Sequence, residues 1–330
     1  MFKKIVKTII AIILILIAII IVGAILITPT IILYRISTIH SWFIVNVWHI
    51  SEIETLKRNL RRAFPNKGNA EIKKIATKCV EGNMDFIIEY FKKTIYCEHQ
   101  IKKHCKFTNL ELLYEKFQNH KFILCYGGHM LNFELLISLP LHTKEYGMCQ
   151  FYLGNTKQKG KIAKWIQQNR EKYGAICIPT SSPIKTLFNL KNEMDLGKSS
   201  KKGYLFGTLA DYDTLSDNMH VTTLFNKDFE VVTGSERIGR KFNMAFVYAH
   251  IRRPKRGYYE VEFKELNPTD LATNPYAYTD EFVRLLEANI KESPELWLQW
   301  SEPRFNTHTS HPKTTPEKSI YGAYRTLRRC

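Results

Sequence analysis

Apolar positions along this chain fall into three patterns. From Thr8 to Thr28 the run TIIAIILILIAIIIVGAILIT carries no charge and is almost wholly aliphatic, and Ile31–Leu33 extends it past Pro29. Roughly 20 such residues match the hydrocarbon core of a bilayer, so this pattern predicts an N-terminal transmembrane helix. Residues 71–93 instead place Ile72, Ile75, Cys79, Phe86, Ile87 and Tyr90 mostly at helical spacing, which predicts an amphipathic helix. The third pattern is a series of short runs rich in β-branched and aromatic residues, at 121–126, 146–152, 175–178, 203–209, 243–251 and 258–264. Helix-length stretches at 131–139, 158–172 and 183–197 lie between the earlier runs. Such alternation predicts an α/β fold, a mainly parallel sheet flanked by helices. The last two runs, joined by RRPKRG, read as an antiparallel hairpin, and another helix is expected at 277–292. From Asn306 the chain turns polar and rich in Pro and Thr. The organisation expected is a membrane anchor at 1–34, one catalytic domain at 35–305 and a flexible tail at 306–330.

At 330 residues the chain is long enough for a sizeable core. Its formal charge of +17 suits nucleic acid, anionic lipid or an acidic protein partner. No zinc-finger spacing, glycine–aromatic RNA motif or basic zipper accompanies the charge, so nucleic acid is not expected as a partner. The seven cysteines (79, 97, 105, 125, 149, 177 and 330) are odd in number and form no C-x2-C. They point to a reducing compartment, with neither a disulfide framework nor a metal site. Lys3, Lys4 and Lys7 resemble the basic start of a signal peptide, but the apolar run is too long and no A-x-A site follows. Three lysines ahead of the span and Arg35 behind it favour a cytoplasmic N-terminus, and a single crossing would then export the domain. The Pro29 break and the stretch SWFIVNVWHI (41–50) equally permit a hairpin or an interfacial helix returning to the same face. Both topologies stay open.

Candidate chemistry gathers in KFILCYGGHMLNFELL (121–136). His129 follows a predicted buried strand, and Glu134 sits five positions later in the first turns of the next helix. Spacing alone decides nothing: 11 histidines and 31 acidic residues in 330 make about one H-x4-[DE] a chance event. A second one, His49–Glu54, does occur, beside the membrane segment and without a preceding strand or glycine, where an interfacial helix face is expected. Context favours His129, because ligands of α/β sheets gather at the carboxyl ends of strands. Five residues apart on a continuous helix point about 140° from each other. With His129 in the loop and Asn132 as N-cap, Glu134 can turn back to the imidazole, fix its tautomer and steady its protonated form. Gly127 and Gly128 permit close approach to the backbone. A polar loop with an ordinary capping pair is the plainer alternative.

GGHMLNFE resembles the H-x-G-N-W-E block of the late acyltransferases of lipid A biosynthesis, the lauroyl/myristoyl acyltransferase family. Other blocks follow in matching order from about residue 28 to 305. RNLRRAFPNK (58–67), REKYG then AICIP (170–179), GTLADYD (207–213), FNKDFEVVTGSERIGRKFNMAFVY (225–248) and PELWLQWSEPRF (294–305) each resemble a family segment. The resemblance implies a glycerolipid-acyltransferase-like fold with no cofactor. It also implies transfer of a fatty acyl chain from acyl carrier protein to a hydroxyl of a lipid A precursor, at the bacterial inner membrane with the catalytic domain facing the cytoplasm. Under it His129 is the general base, Glu134 orients it, Asn132 or backbone N–H groups near Gly128 face the oxyanion, and Arg170 and Asp211 border the site. Arg170 and Asp211 equally fit a structural ion pair, and Arg304 fits either a phosphate contact or a helix cap. Basic clusters such as KRNLRR (57–62) suit an acidic carrier protein, a phosphorylated lipid or plain solvent. The chain departs from the family at Leu131 for glycine, Phe133 for tryptophan, Tyr212 for glutamine and Glu302-Pro303 for His-Arg. Those departures leave two other readings: an acyltransferase for another membrane lipid, such as an aminolipid, phospholipid or glycolipid, or an inactive membrane-anchored lipid-binding protein.

Overall fold

The six runs expected as strands all enter one seven-stranded sheet of order β1-β9-β8-β2-β5-β3-β4. The structure is a computed structural model that describes residues 2–48, 50–152, 161–179, 183–211 and 219–302. Those six strands are β2 (Phe122–Gly127), β3 (Tyr146–Tyr152), β4 (Ile176–Pro179), β5 (Gly203–Leu209), β8 (Ala245–Lys255) and β9 (Tyr258–Glu265). The sheet is parallel throughout except at the β8–β9 hairpin, as the RRPKRG junction suggests. Every residue of β2 is buried, as a central strand covered on both faces requires, which is why its sequence is continuously apolar rather than alternating.

The helices that cover the sheet arise where the 3.6-residue period is strong. Residues 71–93 lie within α4 (Asn69–Ile95), and 277–292 form α10 (Ala277–Glu292). The stretches at 158–172 and 183–197 give α7 (Lys161–Glu171) and α8 (Pro183–Asp195). The one expected at 131–139 is a 3-10 helix, Phe133–Leu141, containing Pro140. Short elements escaped the pattern: α3 (Ser51–Ala63), α5 (Glu98–His104), β1 (Cys105–Thr108), α6 (Leu110–Asn119) and α9 (Gly234–Lys241). A second, two-stranded sheet of β6 (Met219–Leu224) and β7 (Lys227–Val232) was also missed. Its turn is Phe225–Asn226, both at positive φ (53° and 57°), without the glycine that usually marks such a hairpin. Packing compensates: the Phe225 ring meets Phe64 and Trp300, and its N–H donates to Glu287 at 2.6 Å.

At the N-terminus, α1 (Phe2–Ile27) and α2 (Thr30–Asn46) meet at Pro29. Over the described residues no helix is long and apolar enough to cross a membrane, so the span expected across Thr8–Thr28 rests on the sequence. Lys92 of α4 holds the junction, donating to the carbonyls of Leu26 at 2.8 Å and Thr28 at 2.7 Å, a cation at the end of a helix where free carbonyls collect. α2 lies along α4 and buries Leu33, Ile44 and Val45, with Ser37 and Ser41 between them. Its other face leaves Ile32, Ile36, Ile39 and Phe43 exposed. The tail at 306–330 lies outside the described residues.

Candidate functional site

Neighbouring parallel strands deliver two chemistry-bearing side chains to one place. In the β2–β5 register Gly127 faces Leu209, and each strand ends there. His129 and Asp211 follow two residues beyond those partners. The His129 ring nitrogen Nδ1 lies 2.7 Å from Asp211 Oδ1, while the backbone N–H of His129 donates to Oδ2 at 2.8 Å. Trp297 adds a third hydrogen bond, its indole N–H donating to Oδ2 at 2.9 Å. Burial of Asp211 would raise its carboxyl, but the His129 and Trp297 contacts outweigh that and hold it below the ordinary carboxylate value. Gly128 makes this packing possible. A side chain there would run into Leu286 and come within 3.4 Å of the Asp211 carboxylate.

Chemically, the arrangement fixes a tautomer. With Nδ1–H donated to a carboxylate, the neutral imidazole keeps its lone pair on Nε2, and the buried anion stabilises the ring when Nε2 takes a proton.

Glu134 does not take the part expected of it. The carboxylate on the His129 ring is that of Asp211, whereas Glu134 receives Arg170, with Nε on Oε2 at 3.1 Å and Nη2 on Oε1. Lys93 Nζ lies 3.9 Å from the same carboxylate. The reason is electrostatic. Glu134 is fully buried, and a buried carboxylate is stabilised far more by a bidentate guanidinium and a second cation than by a neutral imidazole. Lys93 responds to the same burial, which, opposed by Glu134 and aided by Arg170, brings its ammonium down to about 8. Arg170 therefore has the ion-pair role left open for it, with Glu134 as its partner. Asp211 belongs to the histidine.

Asn132 precedes the 3-10 helix but does not cap it. It adopts a left-handed conformation (φ 62°), and its side-chain N–H donates to Glu89 on α4. The loop is clamped by the C-terminal segment: Leu131 N–H donates to Leu296 O at 2.6 Å, and Leu298 N–H to His129 O at 2.9 Å. Phe133 stacks on Phe86 and presents its ring edge-on to His129, centroids 5.2 Å apart. Leu131 and Phe133, both departures from the family pattern, are thus packing residues here.

Among the residues expected to act, His129 and Asp211 come together, Glu134 and Arg170 form a separate buried pair, and Asn132 faces Glu89. Arg304, Tyr212 and His49 lie outside the described residues; Glu54 pairs with Lys57 at 3.0 Å. Sequence reasoning missed Trp297, Lys93 and Glu89. For Trp297 the signal was the PELWLQW block itself. For the two α4 residues it was a charged side chain on the apolar face of an amphipathic helix.

The chain matches the protein family described as bacterial lipid A biosynthesis acyltransferase over residues 2–307. Compared with curated proteins, it has no match.

Proposed function

The chain belongs to the bacterial lipid A biosynthesis acyltransferase family and is an acyltransferase; on that premise we propose that it moves a fatty acyl chain from an acyl carrier protein thioester to a hydroxyl of a lipid A precursor. The observation that carries the reading is the His129–Asp211 pair at the carboxyl ends of adjacent strands. His129 Nε2 takes the proton of the acceptor hydroxyl as its oxygen attacks the thioester carbonyl. The C–O bond forms, the tetrahedral oxyanion collapses, the C–S bond breaks, and the departing thiolate takes the proton back from the imidazolium. Asp211 keeps the imidazole in the required tautomer and balances its charge. No cofactor enters this scheme.

The proposed location is the bacterial inner membrane, with the catalytic domain on the cytoplasmic face. Supporting it are the uncharged 21-residue run Thr8–Thr28 in the sequence, the exposed stripe Ile32, Ile36, Ile39 and Phe43 on α2 and the neighbouring exposed Trp42 and Trp48. A single α1 crossing from a cytoplasmic N-terminus would export the domain, so a cytoplasmic domain requires α1 and α2 to turn back at Pro29 as a hairpin or to lie together in the interface. The six free cysteines among the described residues suit a reducing compartment. The net charge of +17 suits an acidic carrier protein and a phosphorylated lipid. A different membrane lipid as acceptor is the second reading, favoured by Glu302-Pro303 standing where the family carries His-Arg.

The test is acyl transfer by the purified full-length protein from acyl-loaded carrier protein to a lipid A precursor, with products read by mass spectrometry. The wild type is expected to acylate the precursor, and His129→Ala to slow it by about 10²–10⁴-fold. Wild-type turnover by His129→Ala would sink the mechanism. Acylation of an aminolipid, phospholipid or glycolipid in preference to the precursor would transfer the account to the second reading.

A further inference from the structure

We propose that Glu89, outside the His129–Asp211 pair, is a positioning residue that sets the polarity of Asn132 and ties the His129 loop to helix α2. The proposal rests on the acyl-transfer reading above. Glu89 projects from α4 and is 7% exposed. Its two carboxylate oxygens collect three donors from three parts of the fold. Tyr34 of α2 donates its hydroxyl to Oε1 at 2.7 Å, Tyr259 of β9 donates to Oε2 at 2.7 Å, and Asn132 donates its amide N–H to Oε2. Such a set suits an ionised carboxylate, which accepts only. A glutamine would turn its own NH2 towards one of the donors.

The consequence falls on Asn132, three residues from His129 and next to Phe133, whose ring edge meets the imidazole. With its NH2 committed to Glu89, Asn132 keeps its carbonyl end, and Oδ1 is buried with no hydrogen-bond partner. The residue is 4% exposed, so this atom is a buried acceptor in need of a donor. Beside the site, that donor is a hydroxyl or amide N–H of the bound substrate. An acceptor cannot hold a developing oxyanion, so the oxyanion role expected of Asn132 falls to N–H or cationic donors instead. Tyr34 adds a second link. It stands on α2, whose opposite face is the exposed apolar stripe, and reaches the catalytic loop through a single carboxylate.

The test is a double-mutant cycle on the full-length enzyme, with kcat and KM measured for Glu89→Gln, Asn132→Ala and the pair, and His129→Ala alongside. Each single change is expected to lower kcat about tenfold, the equivalent of one hydrogen bond. KM for the acyl donor should hold, and the double variant should be no slower than the slower single one. Glu89→Asp should recover part of the rate. Additive losses, or wild-type kcat in Glu89→Gln while His129→Ala is inactive, would overturn the role of Glu89 and leave the acyl-transfer reading intact. An active His129→Ala would overturn that reading instead. If Glu89→Gln does not fold, Tyr34→Phe takes its place, removing one donor without touching the loop. A drop of about threefold that vanishes in the Asn132→Ala background is then expected, and an unchanged kcat overturns the proposal.

Discussion

Asp211 meets His129 twice, through the ring Nδ1 at 2.7 Å and through the backbone N–H at 2.8 Å. One carboxylate therefore fixes both where the imidazole sits and how it is turned. Its Oδ2 also receives Trp297, so the C-terminal segment is part of the same assembly. Trp297→Phe keeps the packing but removes a hydrogen bond to a buried charge. The expected cost is about 1.5–3 kcal/mol of stability. It should come with a lower kcat and with the acid limb of the rate profile moved up in pH, because Asp211 loses a contact that favours its ionised form. Stability and rate profiles identical to the wild type would show that the indole does not support the pair.

Glu134 and Arg170 form a buried ion pair, so their loss should be felt first in folding. Removing one partner of such a pair costs about 3–5 kcal/mol, while replacing both with apolar groups is often close to neutral. Glu134→Met and Arg170→Met are expected to lower the chemical-denaturation midpoint severely, and the double variant to recover most of the loss. Strictly additive losses would contradict a paired role.

Much of the scaffold was legible because the apolar patterning matched it: six strands and the long helices α4 and α10 fall where their periods placed them. What the sequence could not carry was pairing across the sheet. His129 and Glu134 lie close in sequence, whereas His129 and Asp211 lie 82 residues apart and are joined only by the β2–β5 register. Proximity along the chain pointed to Glu134, whereas the carboxylate hydrogen-bonded to the imidazole is that of Asp211. The β6–β7 hairpin was hidden for another reason. Phe225 occupies a left-handed turn position that long-range packing stabilises, and no local signal reports it.

Glu89 gives the protein a pH response of definite sign. Burial pushes its carboxyl up to about 7, against the hydroxyls of Tyr34 and Tyr259, while nearby Asp85 raises it further and Arg253 lowers it. Relative to the unfolded chain, folding thus favours protonation, and the acceptor-only carboxylate that holds all three donors prevails above about pH 7. The associated stability is full below about pH 4.5, where an unfolded glutamate protonates, and is lost as the pH rises through about 7. The shift corresponds to about 3 kcal/mol. Asp211, held low, acts in the opposite sense in acid, so the useful quantity is the difference between wild type and Glu89→Gln. Denaturation between pH 4.5 and 8 should show that difference changing by about this amount; a constant difference would contradict it.

Deleting residues 1–27 should release much of the protein from membranes, with α2 retaining part of it through Ile32, Ile36, Ile39 and Phe43. Sedimentation after a high-salt wash reads this directly. Quantitative pelleting of the truncated protein would contradict an anchor in α1.

The central claim is that Asp211, and not Glu134, serves His129. Asp211→Asn and Glu134→Gln make the same chemical change at the two carboxylates, so acyl-transfer rates per folded enzyme compare them on equal terms. In triad enzymes the corresponding amide substitution costs about 10⁴ through the wrong histidine tautomer. A loss of that order is predicted for Asp211→Asn, with Glu134→Gln keeping its rate within about tenfold once folded protein is counted. The reverse result, a near-normal Asp211→Asn beside a rate-dead but well-folded Glu134→Gln, would contradict the account.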